Sequence, residues 1–182
     1  MKCLINIIEI KWYVYVIAIA IIILLIYIGL VISSFCLMNS FKQKMDKCVE
    51  TIRIDLFQMQ ESLNKILDLF KVYIDEKTYL DLKEKINKYE FKNLSKDEFF
   101  ICFSSFEVIK KTLEGIYINN FESTNNETIN LLFSSFKDVT IHYTDMTQDF
   151  NSNAVGFNYR RNLYFTKWIK KLFKIEEVTS IK

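Results

Sequence analysis

The sequence has no proline and only three glycines, so it lacks most of the residues that interrupt helices or form tight turns. Their scarcity argues against a β-rich or loop-rich fold and favours helices. A single histidine, His142, is present, and the four cysteines show no Cys-x-x-Cys spacing. Neither a zinc site nor a dithiol redox motif is therefore indicated. We expect His142 to be a residue of a helical bundle rather than a metal ligand.

An excess of one charge is also missing, since 24 basic residues stand against 22 acidic ones. This balance gives no reason to expect a nucleic acid as partner. The sequence has no glycine-rich phosphate loop, no histidine-rich metal motif and no evident catalytic triad. Asp145 and Asp149, four residues apart, are expected to be solvated. We therefore predict a protein that is not an enzyme and has no cofactor and no metal site.

Charged residues are absent between Lys11 and Lys42, where the 21 residues 12–32 form an apolar run. A helix of that length covers about 30 Å, the thickness of the hydrocarbon layer of a bilayer. Fourteen of the 21 residues are Ile, Leu or Val, which favours insertion by about 4 to 8 kcal/mol. The sequence predicts a short flank over 1–11 and one transmembrane helix over 12–36. No signal-peptide cleavage site is evident, so this segment is expected to remain attached.

The flanking charges predict how the helix crosses the cell membrane. Lys42, Lys44 and Lys47 follow the apolar run, whereas Lys2 and Lys11 precede it. By the positive-inside rule, the C-terminal domain is expected in the cytoplasm and the N-terminus outside. An extracytoplasmic sensing or ligand-binding bundle is the alternative.

Heptad patterns dominate the rest of the chain and predict long packed helices. In the first helix the predicted core positions are Met45, Val49, Ile52, Leu56, Met59, Leu63, Ile66, Phe70 and Tyr73. In the last helix, which is predicted to reach about residue 172, they include Ile129, Phe136, Tyr143, Phe150, Phe157 and Tyr164. The sequence therefore predicts an all-α fold, with an antiparallel bundle of about four helices over 37–174. A C-terminal tail, 175–182, follows it.

Two shorter helices are predicted between the long ones. The first has Tyr79, Leu82, Ile86 and Tyr89 on one face, and the second has Phe99, Cys102, Phe106, Ile109, Leu113 and Ile116. Ser95 with Glu98, and Thr124 with Glu127, match the capping box that starts a helix. The polar run 119–128 is the predicted loop before the last helix.

The stretch DFNSNAVGFN, residues 149–158, repeats an aromatic-amide pair at heptad spacing, as Phe150-Asn151 and Phe157-Asn158. The two aromatic side chains are expected in the core. An asparagine at a helix boundary can fix the register of two helices, because its amide both donates and accepts. The alternative is that both asparagines are exposed and have no special role. Gly156 between the pairs is expected to mark the close approach of another helix.

In these residues the chain resembles the LemA family of membrane-anchored bacterial proteins, whose last helix has Tyr-Asn, then Val, then a second Tyr-Asn. The matching residues here are Phe150, Asn151, Val155 or its neighbour Ala154, Phe157 and Asn158. The N-terminal anchor, the first helix and the ending WIKKLFKIEEV are also similar. The resemblance implies an antiparallel helical bundle on a single-pass anchor, without an assigned reaction.

A basic and aromatic segment ends the last predicted helix. Its predicted contacts with an anionic membrane surface are Arg160, Arg161, Lys167, Trp168, Lys170, Lys171 and Lys174. The alternative is a solvated helix end whose cations complement the helix dipole. The predicted partners are thus the lipid bilayer and an unidentified protein, and homo-oligomerisation stays open. We expect a scaffold or interaction module, with an accessory subunit of a membrane enzyme as the alternative.

Overall fold

A computed structural model of the chain describes residues 2–121, 127–163 and 166–181, with side chains described over 12–119, 127–163, 166–167 and 170–181. Its helices are α1 (Lys2–Phe70), α2 (Glu76–Ile86), α3 (Lys96–Phe121), α4 (Glu127–Asn162) and α5 (Lys167–Leu172), with a 3-10 turn at Phe91–Asn93. No strand occurs within the described ranges, and the all-α prediction is confirmed.

The first part of α1 is apolar and uncovered by protein. Every residue from 12 to 30 is exposed, and only 6% of its most apolar window is buried. By length and composition this helix can cross a membrane.

The second part of α1 provides the core of the bundle. Met45, Val49 and all the predicted heptad positions from Ile52 to Phe70 are buried. Tyr73 is the exception: α1 ends at Phe70, and Tyr73 is 50% exposed in the turn that follows. The heptad spacing would place Tyr73 on the core face only in a helix that continued past Phe70. Because α1 ends at Phe70, Tyr73 does not lie on that face.

The shorter helices start at side-chain caps. Asp75 caps α2, because one carboxylate oxygen accepts from Thr78 N at 2.9 Å and the other from Thr78 Oγ1 at 2.7 Å. At α3, Glu98 accepts from both the amide and the hydroxyl of Ser95, at 2.8 and 2.7 Å. The glutamate half of the predicted capping box is therefore present, while the serine hydroxyl binds Glu98 itself. Thr124 of the second predicted box lies outside the described residues.

The inward faces of α2, α3 and α4 follow the sequence pattern closely. Tyr79, Leu82 and Ile86 are buried in α2, as are Phe99, Cys102, Phe106, Ile109 and Leu113 in α3. Tyr89 and Ile116 are only half-buried. In α4, Ile129, Phe136, Tyr143, Phe150 and Phe157 are buried at heptad spacing, whereas Tyr164 lies outside the described residues.

The last long helix is shorter than predicted, since α4 ends at Asn162 and α5 follows as a separate helix. Buried Thr166 marks the break: its amide donates to Leu163 O at 3.0 Å. Its hydroxyl lies within hydrogen-bond distance of the main-chain oxygens of Arg160, Arg161 and Leu163. A hydroxyl that satisfies the final carbonyls of a helix stabilises its end.

The chain divides into two compact units. The first unit comprises Met1–Lys42 and Val155–Val178, and the second comprises Gln43–Ala154 and Thr179–Lys182. Within the first unit, Gly156 of α4 lies against α1: a Cβ atom at Gly156 would sit 2.8 Å from Cζ of Phe41. The predicted close approach at this glycine is thus present.

Candidate interaction site on α4 and the C-terminal tail

The repeated aromatic pair in α4 occupies the core, as its heptad spacing predicts. Phe150 is fully buried and Phe157 is 6% exposed. Between them the small Ala154 is fully buried, whereas Val155 is 65% exposed. Of these two neighbours, Ala154 is therefore the one in the core.

Asn158 binds the main chain of the tail in the first unit. Its Nδ2 donates to Val178 O at 2.8 Å, and its Oδ1 accepts from Val178 N at 3.1 Å. Because both hydrogen bonds use main-chain groups of Val178, the contact does not depend on the side chain at that position.

Asn151 makes the same arrangement in the second unit. Its Nδ2 donates to Ile181 O and its Oδ1 accepts from Ile181 N, both at 2.8 Å. The prediction that these asparagines join two helices is therefore wrong. Each binds the main chain of the tail instead, whose groups no helix or strand has already paired.

Arg161 is held by protein groups in the first unit and is 9% exposed. Its Nε donates to Ile175 O at 3.0 Å, and its Nη1 lies 3.2 Å from Asn162 Oδ1 and 3.4 Å from Glu177 Oε2. Its guanidinium thus braces the start of the tail, a role that differs from the membrane contact expected from sequence.

The four predicted lysines lie around an open cleft in the first unit. The cleft measures about 750 Å³ and is lined by Arg161, Lys167, Lys170, Lys171, Lys174, Ile175, Glu176 and Glu177. Arg160 lies elsewhere, 5.9 Å from the ring centroid of Tyr159. The side chain of Trp168 lies outside the described residues.

One contact relates this basic cleft to the apolar part of α1. The rings of Phe35 and Phe173 lie 6.0 Å apart between centroids. Phe35 follows the apolar run 12–32 by three residues, about 4.5 Å along the helix axis. Leu172 and Phe173 are 66% and 62% exposed next to Lys171 and Lys174. Exposed apolar and cationic side chains thus lie together beside the end of that run.

The second unit contains a buried carboxylate paired with the only histidine. Nδ1 of His142 on α4 lies 2.9 Å from both carboxylate oxygens of Asp55 on α1. The Asp55 side chain is 5% exposed, whereas that of His142 is 52% exposed. Burial raises the pKa of Asp55, and the hydrogen bond from His142 partly opposes this.

The buried thiols are not activated for nucleophilic chemistry. Burial raises the pKa of Cys102 to about 12, and burial with nearby Asp149 also raises that of Cys48. Both therefore remain thiols at neutral pH. In the part of the chain that the structure describes, no three His, Cys, Asp or Glu side chains are grouped as metal ligands.

No family model, curated protein or solved structure matches this chain. Sequence reasoning selected Asn151 and Asn158 but missed their partner, the tail. The available signal was the spacing of Ile175, Val178 and Ile181, the apolar residues at every third position.

Proposed function

We propose that this chain is a membrane-anchored helical-bundle protein of the LemA type, an interaction module without catalytic activity. Its α1 would anchor it in the cell membrane, with the bundle on the cytoplasmic side and the N-terminus outside. The exposed apolar run supports the anchoring, and the larger number of lysines after it supports the orientation.

The observation that most supports the proposal is the contact between Phe35 and Phe173. If α1 is inserted, this contact would hold the basic segment of the first unit near the level at which α1 leaves the hydrocarbon layer. Lys170, Lys171 and Lys174 would then meet anionic headgroups, each adding about 1 kcal/mol. The exposed Leu172 and Phe173 would enter the interface.

An environment-sensitive fluorophore at Leu172→Cys tests this contact in the full chain, reconstituted in vesicles after its native cysteines are replaced by alanine. We expect a blue shift in anionic vesicles relative to neutral ones, because anionic headgroups attract the lysines. Replacing Lys170, Lys171 and Lys174 by glutamine should abolish the difference.

Exposed lysines of the second unit, Lys77, Lys111 and Lys137, provide the matched control with the same change of charge. Their replacement by glutamine should leave the blue shift intact. Equal spectra in anionic and neutral vesicles would contradict the proposed surface contact. Reporter fusions at the C-terminus test the orientation separately, since the proposal requires them to be active inside the cell.

A further inference from the structure

The tail is held on α4 as a peptide ligand would be. Ile175, Val178 and Ile181 each use main-chain groups to bind a side chain of α4, namely Arg161, Asn158 and Asn151. The residues between these contacts, Glu176, Glu177, Thr179 and Ser180, are exposed. Recognition that depends on main-chain groups resembles the addition of an extended peptide to an unpaired edge.

The turn that leads into the tail is strained. Lys174 has a φ of 49°, and Ile175 N donates to Lys170 O at 3.2 Å. This hydrogen bond is that of a Schellman turn, in which Lys174 occupies the position usually taken by glycine. A lysine there is destabilised by contact between its Cβ and the backbone. Lys174 adopts this positive φ at the turn that directs the tail back to α4 of the same chain.

We infer that the tail exchanges between two copies of this chain. In the exchanged pair, residues 175–181 of each copy bind Asn151, Asn158 and Arg161 of the other. The hydrogen bonds between the tail and α4 form in both arrangements, because the two copies are identical, whereas the hydrogen bond from Ile175 N to Lys170 O belongs to the turn and is lost on exchange. The exchanged tail no longer requires the left-handed turn at Lys174, so its strain is released. Exchange of a terminal segment closes a symmetric dimer.

The proposed membrane anchoring favours the exchange but is not required for it. Two anchored copies share one surface, which raises the effective concentration of each tail near the other. Exchange can also be measured in detergent, so its failure would be distinguishable from failure of the anchoring.

The test uses two full-length copies with different tags, expressed together in one membrane. One copy has a photoreactive residue in place of the exposed Ser180, next to Ile181. Crosslinking within a chain yields a product with one tag, and exchange yields a product with both. We expect the two-tag product, reduced at least fivefold when the other copy has both Asn151→Ala and Asn158→Ala.

Asn153 provides the matched control, since its Nδ2 donates to Asp149 O within α4. Asn153→Ala in the receiving copy should leave the two-tag product unchanged. Lys174→Gly in the photoreactive copy should lower the ratio of two-tag to one-tag product by about five- to tenfold, because glycine has no strain to release. Only one-tag product, or a two-tag product insensitive to the asparagines, would overturn the inference. An unchanged ratio with Lys174→Gly would contradict strain release as its cause.

Discussion

The two parts of α1 are both rich in apolar residues but differ in pattern and in surroundings. Over 12–30 every residue is exposed, including Ile23 and Leu25, each at 62%. Over 45–70 the apolar residues recur at heptad spacing, and Ile52, Leu56 and Leu63 are fully buried. An apolar surface that is continuous around a helix and exposed is long and apolar enough here to cross a membrane, whereas a stripe packs against neighbouring helices. The two parts therefore differ more in the arrangement of their apolar residues than in their apolar content.

The largest expected effect comes from arginine in the first part. Ile22→Arg with Ile26→Arg should cost about 5 to 7 kcal/mol of insertion free energy, which offsets most of the gain from the aliphatic residues. Extraction of membranes at alkaline pH should then release the chain. Ile54→Arg with Phe57→Arg, at positions about half-exposed in the second part, should leave it membrane-bound. Retention of the first variant would show that the apolar run does not hold the chain in the membrane.

The next largest difference between the two parts is expected in the free energy of unfolding after alanine substitution. Leu63→Ala should lower the free energy of unfolding of the bundle by about 2 to 5 kcal/mol, because it leaves a cavity in the core. Leu25→Ala should leave it unchanged, since Leu25 packs against no protein core. Urea denaturation of the full chain in detergent, followed by circular dichroism, measures both. Similar losses from the two variants would contradict the distinction.

Gly156 tests the stretch of α1 between the two parts. Gly115→Ala should raise the free energy of unfolding by up to about 1 kcal/mol, because alanine favours the helix. No atom lies within 4 Å of the position that the added Cβ would take. Gly156→Ala should give no such gain, since its Cβ would crowd the Phe41 ring at 2.8 Å. In a Phe41→Ala background the gain should return. Equal gains at both glycines in the parent chain would show that Phe41 moves aside without cost.

The smallest expected effect concerns Asp55, a carboxylate buried in the second part. Burial raises its folded pKa above the ordinary value of 3.8, so its contribution to stability is complete below pH 3.8. That contribution is lost as the pH rises through the folded pKa. Asp55→Asn should therefore match the parent in free energy of unfolding at low pH and exceed it at pH 7, because the amide has no charge to bury. Unfolding in urea at several pH values measures this, and a less stable variant at pH 7 would mean that pairing with His142 prevails.

Sequence reasoning succeeded where one periodic pattern determines the structure. The heptads of α1 and α4 identified their buried faces because each core position lies on one helical stripe. The end of α1 before Tyr73 and the break at Thr166 depend on local hydrogen bonds, which apolar periodicity does not report. For Asn151 and Asn158 the spacing was evident, but an amide can bind a helix or an extended chain equally well. Only the folded tail distinguishes these alternatives.

Cysteine scanning along 12–70 tests the central claim, that one helix has a lipid-embedded part and a bundle part. Single cysteines in a chain without native cysteines would be treated with a water-soluble maleimide in opened membranes, which makes both faces accessible. The account predicts continuous protection over about 12–32 and protection every three to four residues over 45–70. In denaturing detergent, the maleimide should label the cysteine at every position, because neither lipid nor the bundle then protects it. A helical period of labelling through 12–32 would contradict the account, because a helix in lipid has no water-exposed face.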